Sequence, residues 1–251
     1  MDTRRGVYRL ADLGVQISSV YPHVHMYCKD YIWEGEPDIR IAIQQEQIDY
    51  ERVKAEKYAE KEGVQKPDFP PTYLEALAVY RALAEELPSF DRMLIHGSAL
   101  ALDGQAVLFT AKSGTGKSTH ARLWREQFGD RVTMINDDKP LLHITPEQVT
   151  VYGTPWAGKH FLSTNTSAPL KAICFLERGA ENKITKITPA EAFPMFLQQC
   201  YRPKGREALL KTMELLDVLS GAVGLYRLEC NMDPSAAIVA CQGIAQWNIP
   251  D

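Results

Sequence analysis

The sequence predicts an α/β protein with antiparallel strands around a glycine-rich loop. Three observations carry that reading. From about residue 90 onward, short apolar strand-like runs alternate with stretches of helical spacing. Asp103-Gly104 sits between two apolar runs, a hairpin signature, because both residues tolerate the positive φ of a tight turn. The second of those runs leads straight into Ala111-Lys112-Ser113-Gly114-Thr115-Gly116-Lys117-Ser118, and an amphipathic stretch follows.

Taken in order, the chain starts with an extension of α+β texture. Val15–Val20 and Ile39–Ile43 alternate as strands. The charged stretch Gln45–Glu62 is helical in composition with little apolar stripe, and an exposed helix is expected. Within Pro22–Cys28, His23 and His25 would share one side of a strand, as metal ligands do. No fourth ligand is evident, so surface histidines on a strand are expected there. Lys66-Pro67-Asp68-Phe69-Pro70-Pro71 is a breaker cluster and the linker candidate. It separates an N-terminal extension over residues 1–70, a candidate substrate-recognition layer, from a domain over 71–251.

From Thr72, apolar residues at helical spacing run to Leu87 and stop at Pro88. Met93–Leu102 and Ala106–Thr110 form the hairpin. A helix is expected from Lys117 to about Phe128, ended by Gly129, then a short buried strand at Val132–Ile135. Leu141–Ile144 and Val149–Tyr152 read as an antiparallel pair, and Leu170–Leu176 and Lys183–Ile187 as strands. Thr188-Pro189-Ala190-Glu191 has capping-box spacing with proline at the first helical position, opening a helix to about Cys200. Helices near Gly205–Leu219 and Asp233–Ile244 flank a strand at Val223–Leu228.

Composition narrows the function classes. Hydrophobic residues are 45% and charged residues 24% of 251, which suits a packed globular chain and not a disordered one. A net charge of −4 gives no reason to expect nucleic acid or an anionic membrane as partner. No apolar run reaches the ~18 residues that span a bilayer. Five scattered cysteines without a CxxC pair read as reduced thiols, and a cytoplasmic location is expected.

The chemistry is concentrated in the loop. It matches G-x-x-x-x-G-K-[S/T] except at its first position, where Ala111 stands. Gly114 and Gly116 permit backbone angles that turn successive N–H groups inward, around phosphate oxygens. Those groups lie at the positive end of the following helix. Lys117 reaches β- and γ-phosphates, and the Ser118 hydroxyl suits Mg²⁺, so ATP and Mg²⁺ are the expected ligands. Twenty residues beyond Lys117, Asp137-Asp138 follows a strand that has room to lie beside the loop. One carboxylate there can bind the metal while the other accepts the proton of an attacking hydroxyl. Asn136-Asp137-Asp138-Lys139-Pro140 is also good turn chemistry.

The run from His96 through the loop to Ser118, followed by Ile135-Asn136-Asp137-Asp138, resembles the catalytic domain of HPr kinase/phosphorylase. Its Ser113–Thr119 core is also similar to that of the ATP-dependent phosphoenolpyruvate carboxykinases. The resemblance covers residues 90–180 and, more weakly, the helices to about 246. It implies a P-loop kinase fold of the HPr kinase C-terminal type, with a mixed sheet flanked by helices. By position it implies that Ser113, Gly114, Thr115, Gly116, Lys117, Ser118 and Thr119 bind the nucleotide. Asp137 would be the catalytic base, Ser118 and Asp138 the metal partners, and His96 a catalytic-site histidine beside the phosphates. Family members are often oligomers, so a homo-oligomer is an expectation too.

Departures from the pattern matter. HPr kinases carry a Glu-Val-Arg-Gly-like motif downstream of the double Asp; here Gly153–His160 and Phe161–Thr166 hold no acid. The Gly153-Thr154-Pro155-Trp156 segment is similar to that of divergent HPr-kinase-like proteins found beside peptide-modification genes. This points to another hydroxyl acceptor, a serine of a protein or peptide or a small metabolite. A nucleotide-dependent regulator without phosphotransfer is the alternative. Lys159 and His160, in a Gly/Pro-rich loop, and Arg202 and Arg206, with Lys204 between helices, are candidate substrate contacts. Trp156 reads as an anchor of its loop more than as a stacking platform.

Overall fold

The computed structural model describes residues 4–244. They divide into two compact units, one ending at Glu86 and the other starting at Leu87.

In the first unit, β1 (Arg4–Leu10) and β2 (Leu13–Ser19) form an antiparallel hairpin, and β3 (Ile39–Ala42) pairs parallel to β2. Ala11 and Asp12 both take positive φ, 48° and 63°, as a tight two-residue hairpin turn requires. Tyr8, Leu10, Val15, Ile17, Ile39 and Ile41 are buried, and period-2 alternation puts them on one face. The helices are α1 (His23–Tyr27), α2 (Gln45–Glu62) and α3 (Pro71–Glu86). On α2 only Ile48, Glu51 and Ala59 are buried, the exposed helix expected from composition. Glu51 is held by Arg81 of α3, and Glu75 accepts the backbone N–H groups of Val20 and Tyr21.

Two expectations change in this unit. Pro22–Cys28 is mostly helix, not strand: the Pro22 carbonyl accepts from the His25 and Met26 N–H groups. His25 lies between the Tyr8 hydroxyl (2.5 Å) and Ser19 Oγ (2.8 Å), a hydrogen-bonded structural role. The breaker cluster at 66–71 joins α2 to α3 inside the first unit, and the contact boundary falls after Glu86. Packing of α3 on α2 and β3 decides this.

The second unit is α/β, with a mixed sheet flanked by helices. Its strands are β4 (Arg92–Leu94), β5 (Ser98–Leu102), β6 (Gln105–Thr110), β7 (Val132–Asn136), β8 (Leu141–Ile144), β9 (Val149–Tyr152), β10 (Ser167–Arg178), β11 (Lys183–Lys186) and β12 (Gly224–Cys230). The order runs β4-β8-β9-β10-β6-β5-β7, with β12 also beside β10 and β11 beside β12. β10 is parallel to both β6 and β12, whereas β5 is antiparallel to both of its neighbours, β6 and β7. So β6, β7, β10 and β12 all point the same way, and β5 alone among them points back. Asp103 and Gly104 have φ of 51° and 79°, the hairpin turn anticipated from the dipeptide.

Helices α4 (Lys117–Phe128), α5 (Pro189–Gln199), α6 (Arg206–Ala222) and α7 (Ser235–Gly243) cover the sheet. Alternation along β6 and β10 sorts the core into two layers. Val107, Phe109 and Cys174 pack with Trp124 of α4 and Ala237 and Ala240 of α7. Leu108, Ile173 and Phe175 pack with Phe196 of α5 and Leu215, Leu216 and Leu219 of α6. Thr188 caps α5 through its capping box with Glu191, as the spacing predicted. All five cysteines are unpaired, and all but Cys230 are buried. Among the described residues, no helix is long and apolar enough to cross a membrane.

Candidate functional site

Strand direction gathers the site. The C-terminal ends of β6 and β7 share one edge of the sheet, the usual position of ligand crevices in open α/β sheets. Because β5 runs opposite, its first residues reach that edge as well. The 111–118 loop, Asp137-Asp138 and the segment His96–Ser98 therefore meet, although 42 positions separate His96 from Asp138.

Gly114 (φ 79°) and Gly116 (φ 128°) take left-handed angles with open space where a Cβ would stand, so conformation and not crowding demands glycine. Thr115 closes the turn, its N–H and hydroxyl both donating to the Lys112 carbonyl (3.2 and 2.8 Å). Gly116 is the N-cap of α4, leaving first-turn N–H groups available to an anion. Lys117 is only 7% exposed, and its Nζ donates to the carbonyls of Ala111 (2.9 Å) and Lys112 (3.4 Å). Burial pushes its pKa down, and Lys139 adds to that, against the pull of Asp138 and Asp137. Arg178, at the end of β10, donates to the Gly114 carbonyl (2.6 Å).

Asp137 is 7% exposed, and its Oδ1 accepts a 2.6 Å hydrogen bond from Ser98 Oγ. Its backbone N–H donates to the Leu162 carbonyl (3.0 Å). Asp138 accepts from Lys139 Nζ (2.8 Å) and lies 3.5 Å from His96 Nε2. The other ring nitrogen of His96 faces Gln199 Oε1 at 3.2 Å. Burial, then Lys139 and Lys117, push the His96 pKa down to about 4 despite Asp138, so the ring is neutral near pH 7.

Asn136 builds the turn that presents both carboxylates. It is fully buried, and its Oδ1 accepts from the backbone N–H groups of Asp138 (2.9 Å) and Lys139 (2.7 Å). Its Nδ2 donates to the Thr154 hydroxyl (3.0 Å) and carbonyl (3.1 Å). The expected turn chemistry and the expected carboxylate pair are thus one device. Asn136→Ala strips partners from two backbone donors; a stability loss of about 2–4 kcal/mol is expected, read as a lower urea midpoint.

The segment after β9 folds back on this turn. Gly153 admits no Cβ, which would stand 1.9 Å from the Thr164 carbonyl oxygen. Trp156 is buried, as an anchor should be. Lys159 and His160 are exposed on a 3-10 turn, followed by Phe161 at φ 52° and 73% exposure. Thr164 N–H donates to the Ile135 carbonyl, which sets Leu162 beside Asp137.

Two cavities flank the loop. One, about 500 Å³, is lined by Thr110–Thr115, Phe175–Arg178, Met195, Gln198 and Gln199. The other, about 380 Å³, includes Ser118, Thr119, Asp137 and His160. Arg202 and Arg206 are exposed between α5 and the first turn of α6 and line neither. Ser98, Asn136, Lys139, Arg178 and Gln199 join the site without having been singled out from sequence. Of these, only Asn136 and Lys139 carried a signal, the turn composition around the double Asp.

The oxygen donors at this edge suit Mg²⁺ held partly by phosphates. Such a site takes one or two protein oxygens, and the Ser118 hydroxyl and the Asp138 carboxylate are the groups here that could supply them. Among the described residues no cluster of three or more His, Cys, Asp or Glu is arranged to cage a metal, and this includes the His23/His25 segment.

The family model of the SynChlorMet cassette protein ScmC matches residues 74–213, more than half of the chain. The chain belongs to the ScmC family. No curated protein matches it. Among solved structures, it is similar to the Hpr(Ser) kinase/phosphatase from Coxiella burnetii, at 11% identity and a TM-score of 0.34. That match covers 59% of this chain and 93% of the other. The ScmC model spans the loop, the double Asp and α5, so every site residue named above falls inside it.

A second titrating group lies under the loop. His120, on α4, is buried, its Nε2 accepting from Trp124 Nε1 (3.0 Å) while Nδ1 has no hydrogen-bond partner. Burial pushes its pKa down to about 4. Between pH 6.5 and 4 the unfolded chain binds protons that these two native imidazoles refuse, so stability falls as pH drops through that window. At pH 5 His120 alone should cost about 2 kcal/mol relative to pH 7.5. Urea midpoints at the two pH values check this, and His120→Gln should shrink the difference.

Proposed function

We propose that this protein is an ATP-dependent kinase of the HPr-kinase-like P-loop type that transfers the γ-phosphoryl group to a hydroxyl. The observation that carries the reading is the meeting of Lys117, Asp137 and Asp138 at one sheet edge, with Asp137 buried and oriented by Ser98. A module that only senses nucleotide has no need of a buried, aligned carboxylate beside the phosphate loop.

In this reading Ser113–Thr119 bind the phosphates, and the cavity beside Thr110–Thr115 takes the rest of the nucleotide. Ser118 and Asp138 would hold Mg²⁺, which would offset phosphate charge. Ser98 keeps one Asp137 oxygen occupied, leaving the other to accept the acceptor's proton. The acceptor oxygen then bonds to the γ-phosphorus, and the bond to the bridging oxygen breaks. ADP departs with that electron pair. Lys117 offsets the charge gathering on the leaving side. Neutral His96, its Nδ1 facing Gln199 Oε1, stands 3.5 Å from Asp138 and adds no charge to the site.

ADP release from ATP is the test, measured with and without hydroxyl acceptors and with excess EDTA. Acceptor-dependent release that EDTA abolishes is expected. Nucleotide binding without release in the presence of any acceptor would favour the regulator reading instead.

A further inference from the structure

The 380 Å³ cavity has a chemical character of its own. Its lining combines apolar Ala121, Met134 and Leu162 with Ser118 and Asp137, and Arg122, Arg125 and His160 add basic groups. Ser118, Arg122 and Arg125 are spaced i, i+4 and i+7, so one face of α4 carries all three. At 1.5 Å per residue, Arg125 is about 10 Å along the helix from Ser118. Arg122 is engaged by Glu126 (2.6 Å). Arg125 is exposed, and no carboxylate pairs with it among the described residues.

A helix in its last turn tolerates a basic residue for dipole reasons alone. That does not explain why this one lines the same cavity as the buried Asp137. A guanidinium is a fork for carboxylates. The volume is at the small end for ligand sites, suited to an amino-acid-sized group.

The geometry points to an acceptor whose reacting hydroxyl lies within about 10 Å of a carboxylate, the hydroxyl entering toward Asp137 and the carboxylate meeting Arg125. This inference rests on the kinase reading and names its substrate class. The same chemistry is offered by a serine followed by acidic residues in a peptide and by a free hydroxy acid.

The test uses the full chain with ATP and Mg²⁺ and two acceptor sets. One is a pair of serine peptides that differ only in acidic or basic flanks; the other pairs free hydroxy acids with their amides. Wild type is expected to phosphorylate the acidic member of at least one pair with kcat/KM about tenfold or more above its counterpart. The favoured set identifies the source. Arg125→Glu should reverse the order within that pair, and Arg125→Lys should keep it. Transfer without charge preference, or a preference that Arg125→Glu leaves unchanged, overturns the inference while the kinase reading stands. Binding of a fluorescent ATP analogue without transfer to any acceptor sinks the kinase reading, and this inference with it.

Discussion

Lys117→Ala is expected to lower phosphoryl transfer by about 10³-fold, near the upper end of what loss of one preorganised electrostatic contact costs. The side chain is buried in a site where burial already pushes its pKa down, so its interactions act in a low local dielectric. Nζ rests on the carbonyls of Ala111 and Lys112, which fixes the loop as well as the charge. Lys117→Arg should fare little better, because a planar guanidinium does not fit where a compact ammonium sits against two carbonyls. The comparison needs initial rates of ADP formation beside urea midpoints. Near-normal rates in the alanine variant would remove the loop from the catalytic account.

For Asp137→Asn the expected loss is in kcat, about 10²–10⁴-fold, with affinity for an ATP analogue little changed. The substitution keeps shape and can still accept from Ser98, so geometry survives while basicity goes. Asp138→Asn should behave differently, weakening the response to Mg²⁺ titration. Wild-type turnover by the Asp137 variant would reassign the proton acceptor.

Much of this molecule was legible in its sequence because local rules and the final packing agree. Asp103-Gly104 turned where two positive φ values were needed, and Thr188-Pro189-Ala190-Glu191 capped the helix it announced. β1 was missed, since Arg4, Arg5 and Arg9 fill three of its seven positions with charge and leave only Val7, Tyr8 and Leu10 to signal a strand. The Pro22–Cys28 segment was misread because α1 is only five residues long, too short for its period to show.

In the site, the residues named from sequence were those a motif carries, and residues with only a position were not named. Ser98 and Gln199 lie 39 positions before Asp137 and 103 after His96, and only tertiary pairing makes them neighbours. Arg202 and Arg206 were chosen as a basic cluster, yet both are exposed and line neither cavity. Arg125, one charged position on an amphipathic helix, carried no motif to single it out.

The direction of β5 also sets the order in which the chain can mature as it is made. The β5–β6 hairpin closes over a two-residue turn and can form as soon as it is synthesised. Its parallel neighbour comes much later, with Thr110 facing Phe175 and Phe109 facing Cys174, 65 residues downstream. Until then the strand that feeds the phosphate loop has one bare edge, open to pairing with other chains. β12, arriving at residue 224, closes the far side of β10. A ribosome-bound fragment ending before β10 would thus hold every residue from His96 to Asp138 and still lack the wall that shapes them.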